Sequence, residues 1–127
     1  MKIIIAGSRT ITDKVRVYDI ITAGLHTLLD SQQINDFTII SGGARGVDKL
    51  GEMYAIERSK YPGSYVKLEV FPADWNQYGK RAGYLRNKQM AEYADALILI
   101  WDGKSRGSQM MLELAKQYKL KIYEQII

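Results

Sequence analysis

The sequence predicts a Rossmann-like three-layer α/β/α sandwich built on a mainly parallel five-stranded sheet. Three observations carry that prediction. Short apolar runs alternate with stretches of helical periodicity along the whole chain. Those runs are continuously apolar, as strands covered on both faces require. Three of them, Ile3 to Ala6, Phe37 to Ile40 and Ala96 to Trp101, pass directly into short glycine- and serine-rich turns that carry arginine. Right-handed crossovers put helices on both faces of such a sheet and gather the turns at its carboxyl edge, where ligands bind in open sheets.

The first strand, about 2–6, ends in Gly7-Ser8-Arg9. A helix over about 14–30 follows, with Val17, Ile21, Gly24 and Leu28 as its buried stripe. His26, the lone imidazole, lies opposite Val17 and is predicted to face solvent. The second strand, about 37–41, runs into Ser41-Gly42-Gly43-Ala44-Arg45-Gly46 and a helix over about 46–60, with Asp48 in its first turn. A carboxylate there is favoured by the helix dipole, and beside a phosphate loop it can also reach a ribose hydroxyl. Both roles stay open.

A third strand, about 66–71, leads to Pro72 through Lys80, which is either an ordinary surface loop or, through Asp74, Trp75 and Tyr78, an aromatic wall at the same edge. The helix over about 81–94 carries the sharpest single signal. With Ala82 at zero on a helical wheel, Leu85, Met90 and Tyr93 fall near 300°, 80° and 20°, and Arg86 falls at about 40°, inside the apolar arc. An inward guanidinium must be paired, here with Asp95 or Asp102, or must meet a ligand anion. The fourth strand, about 96–101, enters Asp102-Gly103-Lys104-Ser105-Arg106-Gly107-Ser108, followed by a helix over about 107–119 and a last strand near 120–124. Glycine lets backbone amides approach an anion, a following helix offers its positive end, and arginine supplies a bidentate fork.

Composition bounds the chemistry. The 127 residues fit one domain, 1–127, with 46% hydrophobic and 25% charged residues. With no cysteine and one histidine, disulfides, thiolate nucleophiles and Cys/His metal sites are excluded, and no metal or required cofactor is predicted. No apolar run approaches the roughly 20 residues of a membrane span, and Met1-Lys2 precedes only a four-residue apolar stretch, so a cytoplasmic location without membrane contact is expected. The net charge of +4 is spread without a basic block, and Arg9, Arg45, Lys80, Arg81, Arg86, Lys104 and Arg106 fall in or beside the turns.

Two common motifs fail. Gly103-Lys104-Ser105 ends like a Walker A loop but has Ile98 where the first glycine belongs, and Ser41, Gly43 and Gly46 mimic GxGxxG without the acid that should follow. Met53, Tyr54, Met110 and Met111 read as core or interface residues.

Gly7-Ser8-Arg9, Ser41 through Asp48, Ala73-Asp74-Trp75 through Tyr78-Gly79-Lys80, Ala82 through Asn87 with Met90, Ala94-Asp95-Ala96 and Trp101 through Ser108 together resemble the YspA-like group of the SLOG superfamily over nearly the whole chain. The resemblance implies a nucleotide-binding Rossmann-like domain, often dimeric, that senses or processes nucleotide-derived ligands in bacteria and phages. In the phosphoribohydrolase branch of the superfamily an arginine and a glutamate cleave the N-glycosidic bond. Arg86 matches that arginine, with Met90 and Asp95 in step, but the glutamate position holds Met111, and Glu113 lies about 200° further round the helix.

The expected ligand is therefore a phosphorylated nucleotide-derived or ADP-ribose-like small molecule. Gly7, Ser8, Gly42, Gly43, Gly107 and Ser108 would hold phosphates, Arg9, Arg45 and Arg86 would neutralise them, and Trp75 or Tyr78 would stack on a base. Gly46, Asp48, Asp74, Asn87, Gly103 and Ser105 complete the candidate site. The alternative is hydrolysis by Arg86 with Asp48; a third reading is single-stranded nucleic-acid binding of the kind found in the DNA-uptake protein DprA, another superfamily member. A homodimer or higher homo-oligomer is expected.

Overall fold

A computed structural model describes residues 1–127. Its sheet has five strands, all parallel: β1 (Lys2–Gly7), β2 (Thr38–Ser41), β3 (Lys67–Val70), β4 (Ala96–Trp101) and β5 (Lys121–Ile126), ordered β3-β2-β1-β4-β5. The helices are α1 (Lys14–Leu28), α2 (Val47–Ser59), a single turn α3 (Trp75–Tyr78), α4 (Ala82–Tyr93) and α5 (Arg106–Gln117). The Rossmann-like α/β prediction is met.

Alternation within the central strands divides the core into two layers. Ile3, Ile5, Ile39, Ile98 and Ile100 pack with Val17, Ile21, Leu25, Leu50 and Tyr54 of α1 and α2, while Ile4, Ile40, Leu97 and Leu99 pack with Met90, Ala91, Met111, Leu112 and Ala115 of α4 and α5. β1 and β4 are buried from Ile3 to Ala6 and from Ala96 to Trp101, whereas the edge strands β3 and β5 are partly exposed.

Local chemistry sets the element ends. The Asp13 carboxylate caps α1 by accepting the Arg16 N–H at 3.2 Å. The buried stripe of α1 is Val17, Ile21, Gly24 and Leu25, so Leu25 takes the place expected of Leu28, which is only half-buried. The helix also stops at Leu28, because Leu29 turns extended and buries its side chain. His26 is exposed. At the start of the sheet, Asp95 accepts the Lys2 N–H at 2.8 Å.

The order reverses beside β1, whose neighbours are β2 and β4. The crevice of an open α/β sheet opens at such a reversal. There the turns after β1, β2 and β4 converge, with α4 crossing behind them.

Candidate functional site

Each of the three turns is tied to another. The Ser8 hydroxyl accepts the Asp102 N–H at 3.0 Å, joining the turns after β1 and β4. The Val47 N–H donates to the Ser8 carbonyl at 3.3 Å, joining the first turn to α2. Gly46 sits directly on Ser8 and Arg9 at φ +72°, where an added Cβ would strike the Ser8 carbonyl oxygen.

The turn after β2 is held from within. The Ser41 hydroxyl donates to Glu52 Oε2 at 2.7 Å and accepts the Gly43 N–H at 3.0 Å. The buried Asp48 carboxylate accepts the Ala44 N–H at 3.2 Å. Burial pushes the Asp48 carboxyl above the ordinary aspartate range, opposed by the Ala44 amide and the positive charge of Arg86.

Arg86 reaches this turn from α4. Its Nη1 donates to the Gly42 carbonyl and its Nε to Asn87 Oδ1 at 2.8 Å. Gly42 is glycine for this reason: a Cβ there would stand 2.7 Å from Arg86 Nη1. Neither Asp95 nor Asp102 pairs with the guanidinium. Asp95 holds the Lys2 amide, Asp102 holds the Lys104 and Ser105 amides at 2.8 and 2.9 Å, and the ion pairs present are Lys14–Glu57, Lys49–Glu52 and Lys88–Glu92. Burial lowers the Arg86 pKa from the usual arginine value; Asp48 opposes that shift and Arg9 adds to it. The half-buried cation is thus satisfied by neutral acceptors and has no carboxylate partner within salt-bridge distance.

A cleft of about 310 Å³ opens over these groups. It brings together Gly7, Ser8, Arg9, Asp48, Arg86, Asn87, Ser105, Gly107 and Ser108 of the predicted site, and Arg9, Arg86 and Arg106 all line it. At its far wall Ser105 caps α5, its hydroxyl accepting the Ser108 N–H at 3.3 Å, while the amides of Arg106 and Gly107 have no acceptor within the protein. The Asp102 carboxyl lies below the usual carboxylate range because of the Lys104 and Ser105 amides it accepts. Met111, buried, lines the cleft with a thioether in place of a carboxylate, and Glu113 is exposed and hydrogen-bonded to Gln109.

Gly42, Gly43, Arg45 and Trp75 line a second cleft, while Asp74 and Tyr78 line a third cavity along α4; Arg86 lines all three. The Asp74 carboxylate caps α3 by accepting the Gln77 N–H at 3.1 Å, and that single helical turn sends Trp75 and Tyr78 to different cavities. Gly46 and Gly103 line none of the three; Gly103 turns at φ +79° beside Ile126. Thr10 and Lys49, which carry no motif of their own in the sequence, also line the clefts, each directly following a predicted site residue, Arg9 and Asp48. No three His, Cys, Asp or Glu side chains come together, and no helix is long and apolar enough to cross a membrane.

Comparison with known proteins agrees with this architecture. The chain is 31% identical over 117 residues to Gene 61 protein of Mycobacterium phage D29, covering 91% of this chain and 89% of that one. Its fold resembles that of DNA processing protein A from Helicobacter pylori, a protein described for its single-stranded DNA binding mode, with a TM-score of 0.63 and 21% identity over 98% of this chain. The chain spans 64% of the length of that protein. Residues 1–78 match the family model described as YspA, cpYpsA-related SLOG family. With that match covering more than half of its residues, the chain belongs to the YspA, cpYpsA-related SLOG family.

Proposed function

We propose that this protein binds a phosphorylated, nucleotide-derived small molecule in the cleft between the turn after β1, Arg86 and the N-terminus of α5. The carrying observation is Arg86, a half-buried guanidinium that is oriented by the Gly42 carbonyl and Asn87 and has no carboxylate pair. Such a group gains most from an anion. Arg9, Arg106 and the two acceptor-less amides of α5 support the same ligand chemistry.

Binding without turnover is favoured over glycosidic hydrolysis. The two carboxylates of the cleft, Asp48 and Asp102, are each engaged by backbone amides, and Met111 offers no base. Titration calorimetry with AMP, NAD and ADP-ribose tests the proposal, with native mass spectrometry reporting whether the ligand stays intact. An intact ligand on the wild type and affinity at least about 10-fold weaker in Arg86→Ala, with the variant still folded, are expected. Unchanged affinity in that variant overturns the assignment, and released base supports hydrolysis instead.

A second reading, single-stranded DNA binding, draws on the fold neighbour and on exposed Arg9, Arg45, Lys80, Arg81 and Arg106 along one edge. It predicts affinity that falls steeply with salt and rises with oligonucleotide length.

A further inference from the structure

β3 is an edge strand with β2 as its only neighbour. On that inner side the amides of Tyr65, Lys67 and Phe71 donate to the carbonyls of Asn35, Phe37 and Ser41 at 2.7, 3.0 and 2.8 Å. Backbone groups alternate in direction along a strand, so those of Leu68 and Val70 turn outward, where no strand receives them. The Val66 amide turns the same way and is held locally by the Ser64 hydroxyl at 3.3 Å. Side chains alternate as well. Val66 and Leu68 pack in the layer of α1 and α2, whereas Glu69 accepts the Tyr93 hydroxyl of α4 at 3.0 Å and Phe71 packs in the layer of α4 and α5. Tyr65, 70% exposed, and Lys67 share the face of Glu69 and Phe71. Neither Lys67 nor Glu69 has an ion-pair partner within the chain.

Outward from Leu68, the run Tyr65-Val66-Lys67-Leu68-Glu69-Val70-Phe71 meets the same classes in both directions: a charge, of opposite sign on the two sides, then valine, then an aromatic ring. Such a run is complementary to an antiparallel copy of itself. About a two-fold axis at Leu68 the outward-turned positions exchange hydrogen bonds, Leu68 with the partner's Leu68 and Val66 with the partner's Val70. Lys67 then stands opposite the partner's Glu69, and Tyr65 opposite the partner's Phe71, in the non-hydrogen-bonded pairs whose side chains lie closest. Moving the axis to Lys67 or to Glu69 sets like charges face to face. The other edge of the sheet has no such register, because Lys121 and Glu124 of β5 are three positions apart and point to opposite faces.

We infer that two copies of this chain join edge to edge through β3, antiparallel about a two-fold axis at Leu68, with Lys67 of each copy paired to the partner's Glu69. The two five-stranded sheets then run on as one. This gives the expected self-association a surface, a symmetry and a register, and it is independent of what the clefts bind.

Sedimentation equilibrium at low ionic strength tests the pairing on the wild type, Lys67→Glu, Glu69→Lys, the double variant and an equal mixture of the two single variants. The wild type should dimerise in the micromolar range. Each single substitution opposes like charges twice in the symmetric interface and should raise the dimer Kd by roughly 10-fold or more. The double variant exchanges the two charges, and the mixture sets two acidic positions against two basic ones, so both should dimerise about as tightly as the wild type. A wild type that stays monomeric throughout that range overturns the inference. Single variants that dimerise like the wild type also overturn it, because the interface then lies elsewhere. So does a loss that neither the double variant nor the mixture reverses, since it then reflects the lost Tyr93 contact of Glu69 or damage to the fold.

Discussion

The turns after β2 and β4 are written in nearly the same alphabet, yet the fold uses them oppositely. Ser41 through Gly46 is closed on itself: Glu52, Asp48 and Arg86 occupy its hydroxyl, an amide and a carbonyl, and Gly42 and Gly46 are small because Arg86 and Ser8 lie against them. Asp102 through Ser108 caps a helix but leaves two amides without acceptors, and nothing stands within 4 Å of a Cβ placed on Gly107. A glycine-rich turn therefore has two physical meanings: room for the protein's own atoms, or room for a visitor's. Only the tertiary neighbours distinguish them.

Substituting the glycines tests that contrast most directly. Gly46→Ala combines a left-handed backbone with a collision against Ser8, so a loss of roughly 3 kcal/mol or more, or about 10 °C in Tm, is expected in thermal unfolding. A Tm within a degree or two of wild type would show that the turn after β2 is not closed in this way. Next in size is Asp48→Asn, which keeps an acceptor for the Ala44 amide but removes a buried charge. Because burial raises the Asp48 pKa on folding, the proton is favoured in the folded state. The cost of ionisation is absent below the unfolded aspartate range and develops as pH rises through the folded value. The variant's Tm advantage should therefore grow from acid toward neutral pH, reaching roughly 3 °C; a flat difference between the two proteins across pH argues against it. The smallest effect belongs to Gly107→Ala, where open space and a helical position predict a gain of roughly 0.5 kcal/mol. A marked loss of stability there would mean that the turn after β4 is packed after all.

The same distinction explains what the sequence disclosed. Continuous apolar runs located β1 and β4, because strands buried on both sides must be apolar throughout, whereas the partly exposed edge strands β3 and β5 interleave Lys67, Glu69, Lys121 and Glu124 with their apolar residues. Helical spacing put Arg86 among apolar positions, and the guanidinium does point inward from α4. Its acceptor was illegible, since the Gly42 carbonyl lies 44 positions away and a carbonyl leaves no mark in a side-chain pattern. Trp75 and Tyr78 looked like one aromatic wall because a loop has no period to separate them; one turn of helix does so. Leu25 joins the stripe of α1 because positions i+7 and i+8 from Val17, Gly24 and Leu25, are both inward, while Leu28 in the last turn packs against the same core only partly buried.

The placement of β1 at the middle of the sheet has a consequence for how the chain is made. Its first partner, β2, follows within the same half, with Ile3 beside Ile39, but its other edge waits for β4, where Ile3 meets Ala96. A growing chain that has not yet reached residue 96 therefore carries an apolar strand with one open edge, the condition under which strands pair with the wrong neighbour. The central strand is completed late, so productive folding of this small domain depends on residues synthesised in its final third.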